Sequence, residues 1–177
     1  MNDRDRLLEK LNSGRDEFLA AVEGVTEAQA AAKPVAGWSI LECAEHVAIV
    51  EENLRRRLME QATPTESEMS REREAFLGAV AANRRRKIQA PEVAQPCGRF
   101  TTLREAVECF CRNREQTIAF IASCQEDLRR LTTDHPMIGA ASGQEIIILM
   151  IAHPFRHAAQ IQELRGGRQE SGPPGVV

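Results

Sequence analysis

Apolar side chains recur three and four residues apart along almost the whole chain, and no stretch alternates as a half-buried strand requires. From about Arg4 to Glu23, Leu7, Leu8, Leu11, Phe18, Leu19 and Val22 mark one helix face, with Gly24 placed to end the run. Thr26 and Gln29 form a short capping-box pattern before a connection closed by Pro34 and Gly37. Ser39 and Glu42 then open a second long helix, and Ile40, Ala44, Val47, Glu51, Leu54 and Leu58 run down one side of it until Pro64 stops it. A weaker pattern carrying Met69, Phe76, Leu77 and Val80 extends from about Ser67 to Lys87. It ends in Arg84, Arg85, Arg86 and Lys87, cations that complement the dipole of a helix C-terminus and stay solvated. After a stretch broken by Pro91, Pro96 and Gly98, Thr102 and Glu105 open a third helix. Its stripe is Leu103, Val107, Phe110, Arg114, Thr117, Ile118 and Ile121, continuing towards Leu128. TTDHPMIGAASG is expected to be a loop. Ser142 and Glu145 then cap a fourth helix that runs through Ile146, Leu149, Met150, Ile161 and Leu164 to Gly166 and Gly167.

Four helices of about 20 residues, each about 30 Å long, predict an all-α four-helix bundle. The short first connection makes helices one and two antiparallel neighbours. Between helices two and three lie about 40 residues, enough for a long crossover containing the weaker extra helix and for an up-down-down-up order. Residues 1–167 are expected to form the bundle, and 168–177, rich in Gly and Pro, a flexible C-terminal tail.

A chain of 177 residues fits one domain and is long enough to bury a core without disulfides. Its net charge of −3 and 4% aromatic content argue against nucleic-acid binding, which needs a basic footprint or a stacking platform. No apolar run approaches the roughly 20 residues that span a bilayer, and MNDRDRLLEK lacks the apolar core of a secretory signal. The expectation is a cytoplasmic protein with no membrane or nucleic-acid partner. Its five cysteines, an odd number with no export signal, read as reduced thiols. Cys109 and Cys111 resemble a chelating pair, but residues two apart on a helix point in different directions.

The chemistry-bearing pattern is histidine. His153 and His157 in HPFRH share a helix face with Cβ atoms about 5–6 Å apart, so both rings can reach one ion at roughly 2.0–2.1 Å. Ordinary histidines that cap, pack or face solvent are the competing reading. His46, beside Val47, Val50 and Leu54 on the second helix, borders the core, and in a bundle all three rings can converge. Three neutral imidazoles with an open position make a catalytic type of site, suited to Zn, Ni, Cu or Fe. Pro154 removes a helix hydrogen bond and clashes with the Met150 carbonyl, which predicts a kink inside the motif. HPFRH also lacks the Glu of HExxH, the general base of zinc proteases. Glu42, Glu45 and Glu145 are acid-base candidates that read first as surface or capping carboxylates, and Cys43 as a buried, inert thiol. Gln160, one turn beyond His157, is a candidate to orient that ring, with an ordinary polar helix position the plainer reading. Trp38 is expected to pack at the entry of the second helix and His135 to make a local backbone hydrogen bond, and both are candidate cavity walls. Arg114 and Arg156 are candidate anchors for the carboxylates of an anionic thiol, with a solvated helix face the plainer reading of Arg156.

GWSILECAEHVAIVEENLRRRL around Trp38 and His46, the HPMIG loop, and HPFRHAAQIQELR at the end resemble the DinB-like (YfiT-like) superfamily of metal-binding four-helix bundles. The resemblance covers essentially the whole chain. It implies that His46, His153 and His157 are the metal ligands, and that the cofactor is a divalent transition metal such as Zn, Ni or Fe. It also implies a metal-dependent thiol S-transferase or hydrolase acting with a small-molecule thiol or water. The competing class is a non-enzymatic metal-binding or stress-related bundle whose exposed helix faces form a homodimer.

Overall fold

The computed structural model describes residues 2–67, 71–83, 85 and 88–169. Helix α1 spans Asp3–Val22, opened by a capping box between Asn2 and Asp5, and the chain turns away from it through Gly24 at φ +71°. The single-turn α2, Glu27–Ala31, is capped by Thr26 and Gln29, and α3, Ile40–Arg56, by Ser39 and Glu42. A π-helical turn, Arg57–Gln61, carries α3 into the two-residue strand β1, Thr63–Pro64. The crossover helix α4 is Arg71–Ala82, and a 3₁₀ turn at Glu92–Ala94 precedes α5, Leu103–Ser123, capped by Thr102 and Glu105. Of the basic run at the end of the crossover, Arg84, Arg86 and Lys87 lie outside the described residues, as do residues 170–177 of the expected tail.

The segment expected to be a loop before the last helix is instead a hairpin. Strands β2, Leu131–His135, and β3, Gly139–Ser142, pair antiparallel with Thr132 opposite Ser142, and β1 adds to the outer edge of β2. Gly139 at φ +70° closes the turn, a conformation glycine adopts without strain. Helix α6 then runs Gly143–Gln169, continuing past the glycines expected to end it. Its start is held as expected: Ser142 N donates to Glu145 at 2.8 Å and Glu145 N to Ser142 Oγ at 3.1 Å.

The bundle of α1, α3, α5 and α6 has two apolar cores. One gathers Phe18, Ile40, Val47, Phe110 and Ile161; the other gathers Leu11, Leu54, Leu58, Ile121, Ile146 and Met150. Between them lies Arg114 on α5, fully buried. Its Nε and Nη2 donate to the two carboxylate oxygens of Glu51 on α3, at 2.6 and 2.8 Å. Nη1 donates to the Leu11 carbonyl on α1 and Nη2 to the Met150 carbonyl on α6, each at 2.7 Å. One guanidinium therefore ties all four helices, so Arg114 is a structural fastener, not the substrate anchor its side chain suggested. Burial pushes the Glu51 carboxyl up, against the pull of Arg114. Gly14 lets α1 approach closely, since a Cβ there would lie 3.1 Å from the Ile151 carbonyl of α6. Among the described residues no helix is long and apolar enough to cross a membrane.

Candidate metal centre

Three histidines meet where α3 faces α6. His46 and His153 present their Nε2 atoms to each other at 3.0 Å, and the His157 ring centroid lies 4.7 Å from that of His46 and 4.5 Å from that of His153. One ligand atom from each lies within 4.8 Å of the others, the one such convergence of His, Cys, Asp and Glu side chains among the described residues. Tetrahedral ligands at the usual Zn–N length stand about 3.3–3.4 Å apart, so small ring movements suffice to close the set on an ion.

The outward nitrogens are already engaged, which selects the tautomer. His46 Nδ1 lies 2.6 Å from the Ala94 carbonyl, and His157 Nδ1 lies 3.1 Å from Gln160 Oε1. In each case the ring nitrogen donates and the oxygen accepts, leaving Nε2 with its lone pair for a metal. Desolvation holds the His46 imidazole below the usual histidine range, with the Ala94 carbonyl opposing and the Arg156 charge assisting. His153 is pushed well below it, first by burial and then by the charges of His157 and His46. Neutral rings are what a metal requires. The donor set therefore fits a divalent transition ion.

Pro154 does not break the helix that carries two of these histidines. The Met150 carbonyl, deprived of the amide donor that a non-proline residue at 154 would supply, accepts from Arg114 Nη2 instead. The carbonyl freed by the proline is thus satisfied by a side chain from another helix, α6 runs as one helix through Pro154, and the His153 and His157 ring centroids lie 4.5 Å apart.

Beside the triad opens a cavity of about 690 Å³, within the range of small-molecule sites. His46, Val50 and Leu54 line it from α3, Arg57 from the π-helical turn that follows, and Leu149, His153, Arg156, His157 and Gln160 from α6. Leu77 and Val80 of α4, the segment Ile88–Ala94 and the hairpin turn complete the wall. Trp38 also lines it, its ring 4.8 Å from His46. His135 does the same while accepting from the Met137 amide at 3.3 Å. Burial, then the Arg57 charge, pushes His135 down to about 4.

Other candidates have different duties. Arg156, expected on a solvated face, is 8% exposed, lines the cavity and donates to the Asn83 carbonyl. Glu45 is not a surface carboxylate: at 1% exposure its Oε1 accepts from the amides of Cys97 at 2.7 Å and Arg99 at 3.0 Å, clamping the loop before α5. Glu42 caps α3 and accepts from Lys33. Glu145 is fully buried, caps α6 and meets Arg73 Nη1 at 3.2 Å. Cys43 is buried in the first apolar core. Of the CxC pair, Cys109 is buried and Cys111 half-buried, and neither joins a ligand cluster among the described residues.

The family model of the DinB superfamily matches residues 10–161. The chain belongs to the DinB superfamily. Two solved structures share the DinB-superfamily chain's four-helix architecture. The four-helix bundle protein TT2238 is 23% identical over 89% of this chain and 96% of its own, with a TM-score of 0.56. YfiT from Bacillus subtilis, described as a probable metal-dependent hydrolase with an unusual four-helix bundle topology, is 15% identical over 96% of this chain and 90% of its own, with a TM-score of 0.59. At these identities the likeness establishes the fold. No curated protein matches the chain in sequence.

Two contributors to this DinB-superfamily site escape a reading of residue patterns. Ala94 acts through its backbone carbonyl, which leaves no signature in the sequence. Arg57 lies eleven residues after His46, three helical turns along the same face, and that spacing was the available signal. The Glu51–Arg114 pair was visible as two opposite charges standing on otherwise apolar stripes.

Proposed function

We propose that the protein is a metal-dependent enzyme, a thiol S-transferase or a hydrolase. His46, His153 and His157 hold a divalent transition metal, Zn, Ni or Fe, and a thiol or water attacks a small substrate seated in the adjoining cavity. The observation that carries this reading is the convergence of three histidine ligand atoms, within 4.8 Å of one another, on the wall of a cavity of substrate size. A structural zinc site closes with four protein ligands, whereas three leave a position for substrate. When bound, the ion supplies Lewis acidity that brings the pKa of a coordinating water or thiol towards neutrality.

The remaining work falls to the chain. The Ala94 carbonyl and Gln160 hold the histidine tautomers, and the adjoining cavity wall is largely apolar. Glu42 and Glu45 are committed to a helix cap and a loop clamp, so neither is placed to take a proton at the site. Glu163, on the cavity wall, is the remaining carboxylate candidate for a proton acceptor, beside activation of the nucleophile by coordination. A thiol is readily activated by coordination, and the description of YfiT as a probable metal-dependent hydrolase supports the water reading.

The test is metal analysis of protein purified without a His tag, wild type beside His157→Ala. It is followed by a panel of low-molecular-weight thiols with electrophiles, and of esters and amides, before and after chelation. Wild type should hold about one equivalent of metal and the variant almost none. Turnover should vanish on chelation and return with added metal. Equal and negligible metal in both proteins would end the proposal, and activity that survives chelation would rule out the mechanism.

A further inference from the structure

The cavity beside the triad is electrically and chemically two-sided. Its far end carries Arg57, at the start of the π-helical turn, and eleven residues of α3 separate it from His46, about 16 Å of helical rise. Among the described residues Arg57 makes one hydrogen bond, to the Asp134 carbonyl, and no ion pair. Its neighbours Arg55 and Arg56 share Glu60, whereas Arg57, like Arg165 elsewhere on the surface, bonds to a backbone carbonyl alone; what sets Arg57 apart is its place in the cavity wall. His135 beside Arg57 is held neutral at pH 7, so the charge at that end belongs to the guanidinium. The carboxylate in the cavity wall, Glu163, lies on α6 six residues past His157, while the α3 end that bears Arg57 packs against the start of α6, as Leu58 does against Gly143. Glu163 and Arg57 therefore stand at opposite ends.

Between Arg57 and the triad the wall is mainly apolar, formed by Val50, Leu54, Leu77, Val80, Ile138 and Leu149 with Asn53 among them, and the second cation of the wall, Arg156, stands by the histidines and donates to the Asn83 carbonyl. The cavity also accounts for three of the six large apolar side chains left exposed among the described residues, Ile88, Val93 and Met137. Scattered exposed apolar residues need no explanation, but a concentration of them around one concave site marks a surface that a ligand covers. A partly desolvated cation without a counter-charge is equally incomplete until an anion meets it.

We infer that this cavity binds an amphipathic monoanion, a small molecule with an aliphatic or aromatic body and one carboxylate-like terminus. The terminus is held by Arg57, and the body lies over Leu54, Leu77 and Leu149 towards the histidines. The assignment deepens the proposed function by naming the substrate class of the same site, and rests on that reading only for the reaction. Binding needs the cavity and Arg57, not the metal.

The experiment uses metal-free full-length protein and reads the fluorescence of Trp38, the single tryptophan in a chain without tyrosine. Octanoate, octanamide and butyrate are the probes. Octanoate should bind about tenfold or more tighter than octanamide, the scale of a hydrogen-bonded charge pair, and also more tightly than butyrate, which lacks the body. Arg57→Gln should bring octanoate down to the level of octanamide and leave octanamide unchanged, while Arg57→Lys keeps part of the preference. Equal binding of octanoate and octanamide to the wild type overturns the inference without any variant. Retention of the full preference in Arg57→Gln overturns the placement of the anion. Because no metal is present, either failure leaves the metal proposal standing. Conversely, octanoate binding that persists alongside negligible metal in wild type would sink the metal proposal alone.

Discussion

Replacing Arg114 by Lys, alone and with Pro154→Ala, tests whether one buried guanidinium compensates for the proline inside the metal motif. Lys keeps a cation for Glu51 but has no fork, so it cannot also reach the carbonyls of Leu11 and Met150, each now 2.7 Å from a guanidinium nitrogen. Hydrogen bonds from charged groups are worth about 1.5–3 kcal/mol each. With partial rearrangement the substitution should cost about 3 kcal/mol. Against the 5–15 kcal/mol or so typical of a domain, the variant should remain folded and measurable. Pro154→Ala supplies an amide at the position that normally serves the Met150 carbonyl. In the wild type that donor competes with Arg114, whereas in the Lys variant it fills a vacancy. The alanine should therefore stabilise the Lys background by about 1–2 kcal/mol more than the wild type, a coupling within the range of contacting residues. Urea unfolding of the four metal-free proteins measures this directly. Cobalt binding, followed by its visible absorption, should weaken in Arg114→Lys and recover in the double variant, since the same carbonyl fixes the turn that bears His153. Effects that add within about 0.5 kcal/mol would refute the compensation.

Gln160→Leu should lower metal affinity about 10- to 100-fold by releasing the Nδ1 hydrogen bond of His157 while leaving the fold intact, as competition with a chromogenic chelator will report. In metal-free protein, His46, His153 and His135 all protonate less readily than in the unfolded chain. Below the unfolded value of about 6.5 the unfolded state then holds more protons, so urea midpoints should be flat above that pH and fall as it drops towards about 4; a flat profile down to pH 4 would contradict the assigned burial. Glu45→Ala removes the acceptor shared by the Cys97 and Arg99 amides, and both should lose hydrogen-exchange protection well before the core does.

The long helices were legible because each begins with local chemistry. The boxes at Thr26, Ser39, Thr102 and Ser142 use side chains three residues apart, and all four form as the spacing predicts. The hairpin was not legible. Leu131–His135 offers two adjacent threonines and Gly139–Ser142 no β-branched residue at all, too little to mark a strand pair, and the pairing also depends on where α6 and the edge strand Thr63–Pro64 hold them. Arg73 illustrates the same limit: on a weakly patterned helix it reaches the carbonyls of Ile138 and Ala140, a tertiary contact with no periodic trace. The histidine triad was readable as spacing on α6 plus one position on α3. What spacing leaves out is the orientation of the rings, which depends on a backbone carbonyl 48 residues from His46 and on the compensated Pro154.

That carbonyl belongs to the 3₁₀ turn Glu92–Ala94, continuous with the segment whose Ile88, Ala90, Pro91 and Val93 wall the cavity. One stretch of chain thus sets the tautomer of a triad histidine and forms part of the cavity wall. If the proposed ion and a small molecule both bind, a molecule that draws this segment closer to His46 tightens the ion, and by reciprocity the ion tightens that molecule by the same factor. Metal affinity would then be a property of the filled or empty cavity and not of three histidines alone.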